Sequence, residues 1–159
     1  MFALTKVIWQ GPFASPSRLA RLREIGITHI LNVGDAPNVL CNADGPFDEV
    51  RWVPVVDLER IPNDVAIAGI DALHEMITTP NSTVYVHCVA GYNRSPTIVW
   101  LYLIACGVDP DAAKETIGRR NLDAVPGHSR LIDAELINAV KSHARRYFPH
   151  SRPDSLIPA

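Results

Sequence analysis

Short apolar runs alternate with amphipathic stretches along most of the chain. The runs at residues 6–10, 28–33, 51–56 and 83–87 are rich in β-branched and other apolar side chains, which predicts buried strands. Between them, apolar residues recur at three- and four-residue spacing, which predicts helices. This alternation favours an α/β fold with a central, mostly parallel sheet of about four to five strands flanked by helices.

Capping residues set the predicted helix limits. Ser15 followed by Pro16 predicts a helix start, Gly26 predicts its end, and Asn63 is the predicted cap of the next helix. The stretch 95–105 is apolar around its whole circumference and therefore predicts a buried helix. The predicted helices span residues 16–25, 64–77, 95–105, 110–120 and 129–146.

Length and composition fit one domain. The 159 residues are 47% hydrophobic, and we expect one folded domain over residues 1–147 and a Pro/Ser-rich tail over 148–159. A formal charge of −2 gives no general attraction to nucleic acid, so no nucleic-acid partner is expected. We find no signal peptide and no apolar stretch near the ~20 residues of a membrane-spanning helix.

The cysteines favour a reducing compartment. Cys41, Cys88 and Cys106 are an odd number, lie far apart and lack the spacing of metal ligands. We therefore expect no metal site, reduced thiols and a cytoplasmic location. The protein is also expected to be a monomer. A protective disulfide between Cys41 and Cys88 is an open alternative.

The segment from His87 to Ser95 carries the candidate chemistry. It joins a predicted strand to a predicted helix, where backbone N–H groups and the helix dipole favour an anion and a cysteine thiolate. Arg94 can donate two hydrogen bonds to phosphoryl oxygens, and Ser95 can donate to the sulfur of Cys88. The loop residues between them are Val89, Ala90, Gly91, Tyr92 and Asn93.

Asp57 also follows a predicted strand. Because parallel strands place ligands at their carboxyl ends, we expect Asp57 and Cys88 to share one edge of the sheet.

The stretch from Val84 to Thr97 resembles the HCx5R(S/T) signature of protein tyrosine phosphatases, and most closely their small dual-specificity branch. The resemblance extends from Ile8 to the last helix. It implies that a thiolate at Cys88 takes the phosphoryl group, that Arg94 binds phosphate, and that no metal or other cofactor takes part. It also implies an aspartate acid on the loop after the preceding strand, where Asp57 lies, with Glu59 and Asp64 as rivals. His87 is expected to orient the loop and tune the thiolate.

Some positions depart from the dual-specificity pattern. Arg119 matches the first of two spaced arginines, whereas Leu122 stands at the second and Pro126-Gly127 replaces Pro-Asn. Arg120 or Arg130 is a possible substitute. The loop after Cys88 contains no Lys, which argues against a multiply charged headgroup.

The resulting hypothesis is a phosphatase of phosphotyrosine, and also of phosphoserine or phosphothreonine, acting on a phosphorylated protein or peptide. Two alternatives are open. One is a non-protein phosphoester, namely a phosphoinositide, a sugar phosphate or an RNA 5′ phosphate. The other is a non-catalytic module that binds phosphorylated residues.

Overall fold

A computed structural model describes residues 1–38 and 47–148. These residues form a five-stranded sheet in the order β1-β2-β5-β3-β4, in which every neighbouring pair is parallel except β1 and β2. The strands are β1 Phe2–Ala3, β2 Ile8–Gly11, β3 His29–Asn32, β4 Glu49–Trp52 and β5 Val84–His87. The predicted α/β class and mostly parallel sheet are confirmed.

The five helices of the described residues lie close to the predicted limits. They are α1 Pro16–Glu24, α2 Asn63–Thr78, α3 Arg94–Ala105, α4 Pro110–Gly118 and α5 Ala134–Tyr147. Helix α3 is buried along almost its whole length, as its apolar circumference predicts. Asp109 caps α4 by accepting hydrogen bonds from the backbone N–H groups of Asp111 and Ala112.

The sheet separates two apolar clusters because successive side chains on a strand point to opposite faces. Leu31 and Val86 face the larger cluster, which contains the buried side chains of α2 to α5. Ile30 and Tyr85 face a smaller cluster that contains Leu22 of α1. Strand β5 is central in the sheet and fully buried, so its carboxyl end provides a rigid base for Cys88.

Two element limits differ from the sequence-based prediction by four residues or more, and strand β1 was not predicted. Strand β4 ends at Trp52 rather than Val56, since only Val53 adds a further bond to β3 and Pro54 has no N–H to donate. Helix α5 begins at Ala134 rather than 129, because the Asp133 side chain accepts from the N–H of Leu136.

The start of α2 is also different in detail. Pro62 occupies the N-cap position without a side-chain bond, and Asn63 is the first helical residue rather than the cap. The Asn63 amide instead donates to Glu135 at 3.4 Å.

The C-terminal end of the described chain packs onto the core. Phe148, the first residue of the predicted tail, is buried and stacks on His74 with ring centroids 4.2 Å apart. Cys41 lies outside the described residues, and so does its proposed disulfide with Cys88. Among the helices that the structure describes, none has the length and apolar character needed to cross a membrane.

Candidate active site

The loop of residues 88–93 joins the end of β5 to the start of α3. Gly91 turns it with φ = +81°, a left-handed conformation that favours glycine. A Cβ atom at this position would lie 2.8 Å from the carbonyl oxygen of Gly11 and 2.8 Å from the nitrogen of Pro12. The absence of a side chain at Gly91 therefore lets the loop pack directly on the chain that follows β2.

Cys88 lies at the bottom of this loop and is 2% exposed. Its Sγ accepts hydrogen bonds from the backbone N–H of Gly91 at 3.3 Å and from the hydroxyl of Ser95 at 3.4 Å. Both donors, together with the N-terminus of α3, favour a negative charge on the sulfur. Cys88 forms no disulfide with any residue that the structure describes.

A buried amide network fixes the direction of the Ser95 hydroxyl. Gln10 Nε2 donates to Ser95 Oγ at 2.9 Å and to the carbonyl oxygen of Gly91 at 2.8 Å. Gln10 Oε1 accepts in turn from Asn121 Nδ2 at 2.9 Å. Because Ser95 Oγ accepts from Gln10, its single proton is directed toward Cys88.

Arg94 is the first residue of α3 and is almost entirely buried. Its Nη1 donates to Asp35 Oδ1 at 2.6 Å and to the carbonyl oxygen of Val55 at 3.2 Å. Its Nε is buried and has no hydrogen-bond partner among the described residues, and Asp57 Oδ2 lies 3.8 Å away. An unsatisfied charged donor of this kind is costly unless a ligand accepts from it.

Asp57 lies in a turn beyond the end of β4, not directly after the strand as predicted. Its Oδ1 accepts from its neighbour Leu58 at 3.0 Å and from Asn93 Nδ2 at 3.5 Å. Leu58 has φ = +57°, an unfavourable conformation for a leucine that marks this turn as constrained by its surroundings. The rivals Glu59 and Asp64 do not line the pocket that contains Cys88.

His87 is fully buried beneath the loop. Asn38 Nδ2 lies 3.2 Å from His87 Nε2, so the ring is assigned as an acceptor there, and Nδ1 donates to the Cys88 carbonyl at 3.1 Å. Burial lowers the pKa of His87 to about 4, although the bond to Cys88 opposes this shift. The imidazole is therefore neutral at pH 7.

These residues surround one pocket of about 280 Å³. Its lining side chains are Asp35, Asp57, Cys88, Val89, Ala90, Tyr92, Asn93 and Arg94. The possible substitutes Arg120 and Arg130 are not among them, and Arg119 is paired with Glu115 on the surface of α4.

The packing of Gly127 explains why glycine stands where the dual-specificity pattern has asparagine. Gly127 has φ = +64°, and a Cβ atom there would lie 2.9 Å from the Trp100 ring. Its N–H donates to Thr97 Oγ1 at 3.1 Å, which ties this segment to α3.

Sequence reasoning missed Gln10, Asn121 and Asp35. Asp35 follows β3 closely, so the rule that placed Asp57 at the carboxyl edge of the sheet also applies to it. Gln10 is a polar residue in an otherwise apolar strand, which was a usable signal of a buried polar role. Asn121 gave no such signal.

One pocket at the carboxyl edge of a mostly parallel sheet holds a buried cysteine and a buried arginine. This arrangement is that of the cysteine-dependent phosphatases. Residues 8–109 match the family profile described as the dual specificity phosphatase catalytic domain, and the chain belongs to this family. Among curated relatives, dual specificity protein phosphatase 26 of Bos taurus is 27% identical over 104 residues, which is 61% of this chain and 49% of the relative. The chain thus spans about half the length of that relative.

Solved structures show the same fold. The crystal structure of DUSP15 has a TM-score of 0.71 at 22% identity, covering 93% of this chain and 96% of that one. PTPMT1 in complex with PI(5)P has a TM-score of 0.68 at 18% identity, covering 90% and 93%.

Proposed function

We propose that this protein is a cysteine-dependent phosphatase that hydrolyses phosphotyrosine in proteins, with phosphoserine and phosphothreonine as further substrates. The observation that carries the proposal is one pocket that contains the Cys88 sulfur, the Arg94 guanidinium with its unpartnered Nε, and the Asp57 carboxyl group. These are a nucleophile, a phosphate ligand and an acid.

In the first step, the Cys88 thiolate attacks phosphorus. A sulfur–phosphorus bond forms as the ester phosphorus–oxygen bond breaks, and Asp57 protonates the leaving oxygen. Arg94 and the backbone N–H groups of the loop bind the phosphoryl oxygens and stabilise their charge in the transition state.

In the second step, water attacks the phosphorus of the phosphocysteine. The Asp57 carboxylate, left after the first step, takes the proton of this water, and the sulfur–phosphorus bond breaks. The Ser95 hydroxyl, already directed at Cys88 by Gln10, donates to the departing thiolate. Gln10 and Asn121 are thus positioning residues for this step.

Hydrolysis of p-nitrophenyl phosphate by the wild type and by Cys88→Ser tests the proposal. We expect the wild type to turn over and the variant to lose at least about 10³-fold in kcat. Comparable rates in the two proteins would overturn the proposal.

The acid role needs its own variant. Asp57→Asn is expected to lower kcat by about 10²-fold or more on a phosphotyrosine peptide, because the leaving oxygen then departs unprotonated. Glu59→Gln is the matched control, since Glu59 is two positions away and does not line the pocket. Equal rates for Asp57→Asn and the wild type would move the acid role to another residue.

A phosphoinositide is the strongest alternative substrate, because PTPMT1, which shares this fold, has been crystallised with PI(5)P. Here, however, Arg94 is the only basic side chain among the described residues that line the pocket. Such a pocket offers a multiply phosphorylated headgroup few cationic partners beyond the one that binds its first phosphate.

A non-catalytic binding module would bind the phosphotyrosine peptide without releasing phosphate, so the same peptide assay would show no product.

A further inference from the structure

The large hydrophobic side chains exposed on the described surface are concentrated near the pocket. Six of the eight belong to three short segments: Val56, Leu58, Val89, Tyr92, Leu122 and Val125. The other two are Trp52 and Tyr147. Single exposed apolar residues are ordinary on a protein surface, whereas a continuous group of them indicates a binding site.

Two of the three segments contain residues that line the pocket, and the third is bonded to one of them. Val89 and Tyr92 line the pocket itself, and the Tyr92 carbonyl accepts from the N–H of Val125 at 2.7 Å. Leu122 is 90% exposed and follows Asn121, whose side chain belongs to the network beneath the loop. We call the six side chains the apolar rim.

The segment that contains Val56 and Leu58 is the turn around Asp57. Val56 and Leu58 stand on either side of Asp57, which lines the pocket, and Val56 is 60% exposed. The apolar rim thus adjoins the site of the proposed chemistry through Val89 and Tyr92, which line the pocket, and its exposed side chains are accessible to residues that flank the phosphoryl group.

The charged side chains at the pocket opening disfavour acidic residues beside the phosphorylated residue of a substrate. Asp35 and Asp57 line the pocket, and the Asp35 side chain is 63% exposed. Among the described residues that line the pocket, Arg94 is the only cation, and it is buried and required by the phosphoryl group. An acidic residue or an anionic membrane surface would meet the exposed carboxylate of Asp35 and no available cation of these lining residues.

We infer that the phosphorylated residue of the substrate is flanked by aliphatic or aromatic side chains, which pack on the apolar rim. This inference rests on the proposed phosphatase activity and narrows its substrate class. Burial of flanking apolar surface stabilises the bound peptide, while the exposed carboxylate of Asp35 disfavours acidic sequences.

Three phosphotyrosine peptides of equal length test this inference, with Leu and Phe, Ala, or Glu on both sides of the phosphotyrosine. We expect kcat/KM to be about tenfold higher for the Leu/Phe peptide than for the Glu peptide, with the Ala peptide between them. Leu122→Lys should reduce this ratio at least threefold, by about 0.6 kcal/mol, because it removes apolar surface and attracts the Glu peptide, without changing p-nitrophenyl phosphate hydrolysis. Tyr147→Lys, which adds the same charge at an exposed apolar residue of α5, should leave the ratio unchanged.

The outcomes separate this inference from the proposed function. Absence of p-nitrophenyl phosphate hydrolysis by the wild type would overturn both. Hydrolysis with equal rates on the Leu/Phe and Glu peptides would overturn only the inference, and so would equal effects of Leu122→Lys and Tyr147→Lys. Faster turnover of phosphoinositide vesicles than of the Leu/Phe peptide would also overturn it, in favour of a lipid substrate.

Discussion

At the scale of single residues, the reactive groups depend on neighbours outside the signature loop. Ser95 directs its proton toward Cys88 because Gln10, from β2, donates to its oxygen. Arg94 is held by Asp35, from the segment after β3. The buried sulfur and guanidinium are therefore positioned by side chains that are remote in sequence.

Replacing Gln10 tests the proton direction. In Gln10→Met the Ser95 hydroxyl is free to rotate, so the sulfur is a poorer leaving group in the second step. We expect kcat to fall about tenfold, and stopped-flow measurements to show a burst of product before the slow steady state. Gln10→Asn, which retains an amide, should recover part of the rate, and a variant with normal kcat and no burst would contradict this role.

Asp35 offsets the charge of Arg94. Asp35→Asn retains an oxygen that accepts from Arg94 Nη1 but removes a negative charge from the opening, so inorganic phosphate should inhibit more strongly. The expected decrease in the inhibition constant is about fivefold, which corresponds to ~1 kcal/mol for a partly exposed ion pair. Asp35→Ala removes the acceptor as well and should lower kcat, and identical behaviour of the two variants would argue against separate charge and positioning effects.

At the scale of elements, the loop between β5 and α3 depends on the backbone conformation of Gly91 and on its close packing against Gly11. Gly91→Ala combines a left-handed φ with a clash against the backbone of Gly11, where neither side can yield as a flexible side chain can. We expect activity to be lost and the free energy of unfolding to fall by about 2 kcal/mol or more. Gly26→Ala in the turn after α1 is a control with a left-handed φ but open space around the Cβ, and it should remain active. Equal loss of activity in both variants would show that conformation, not the clash, is decisive.

The sequence predicted these elements to the extent that local signals determine them. The apolar circumference of α3, the start of α1 at Pro16, the Asp109 cap of α4 and the run of β5 are local features that agree with the structure, although the Ser15 side chain makes no capping bond. The end of β4 depends on which N–H groups reach β3, and Pro54 sets it. Gln10 and Asn121 are 111 positions apart, so their bond follows from the tertiary fold and no local pattern contains it.

At the scale of the whole molecule, the buried His87 links the site to the stability of the fold. Burial lowers its pKa to about 4 in the folded protein, whereas the unfolded chain binds a proton near the ordinary value of about 6.5. Burial also lowers the pKa of His74. The stability that these neutral histidines contribute is therefore fully present above pH ~6.5 and is lost as the pH falls toward 4, because the unfolded chain takes up their protons first.

Urea unfolding at pH 7 and pH 5 measures this effect. We expect the wild type to lose about 2 kcal/mol through His87 over this interval. His87→Gln, which has no ring nitrogen to protonate, should be less stable at pH 7 but should lose less between the two values. Equal losses in the two proteins would show that His87 is not the group responsible.

The central claim is that Cys88 carries the phosphoryl group, and trapping the intermediate tests it most directly. Protein mixed with a phosphotyrosine peptide is quenched in acid within the first turnover, digested and analysed by mass spectrometry. We expect the peptide that contains Cys88 to gain the mass of one phosphoryl group, with a larger trapped fraction in Ser95→Ala, since its thiolate leaves more slowly. Phosphate release with no phosphorylated Cys88 peptide in either protein would contradict the mechanism.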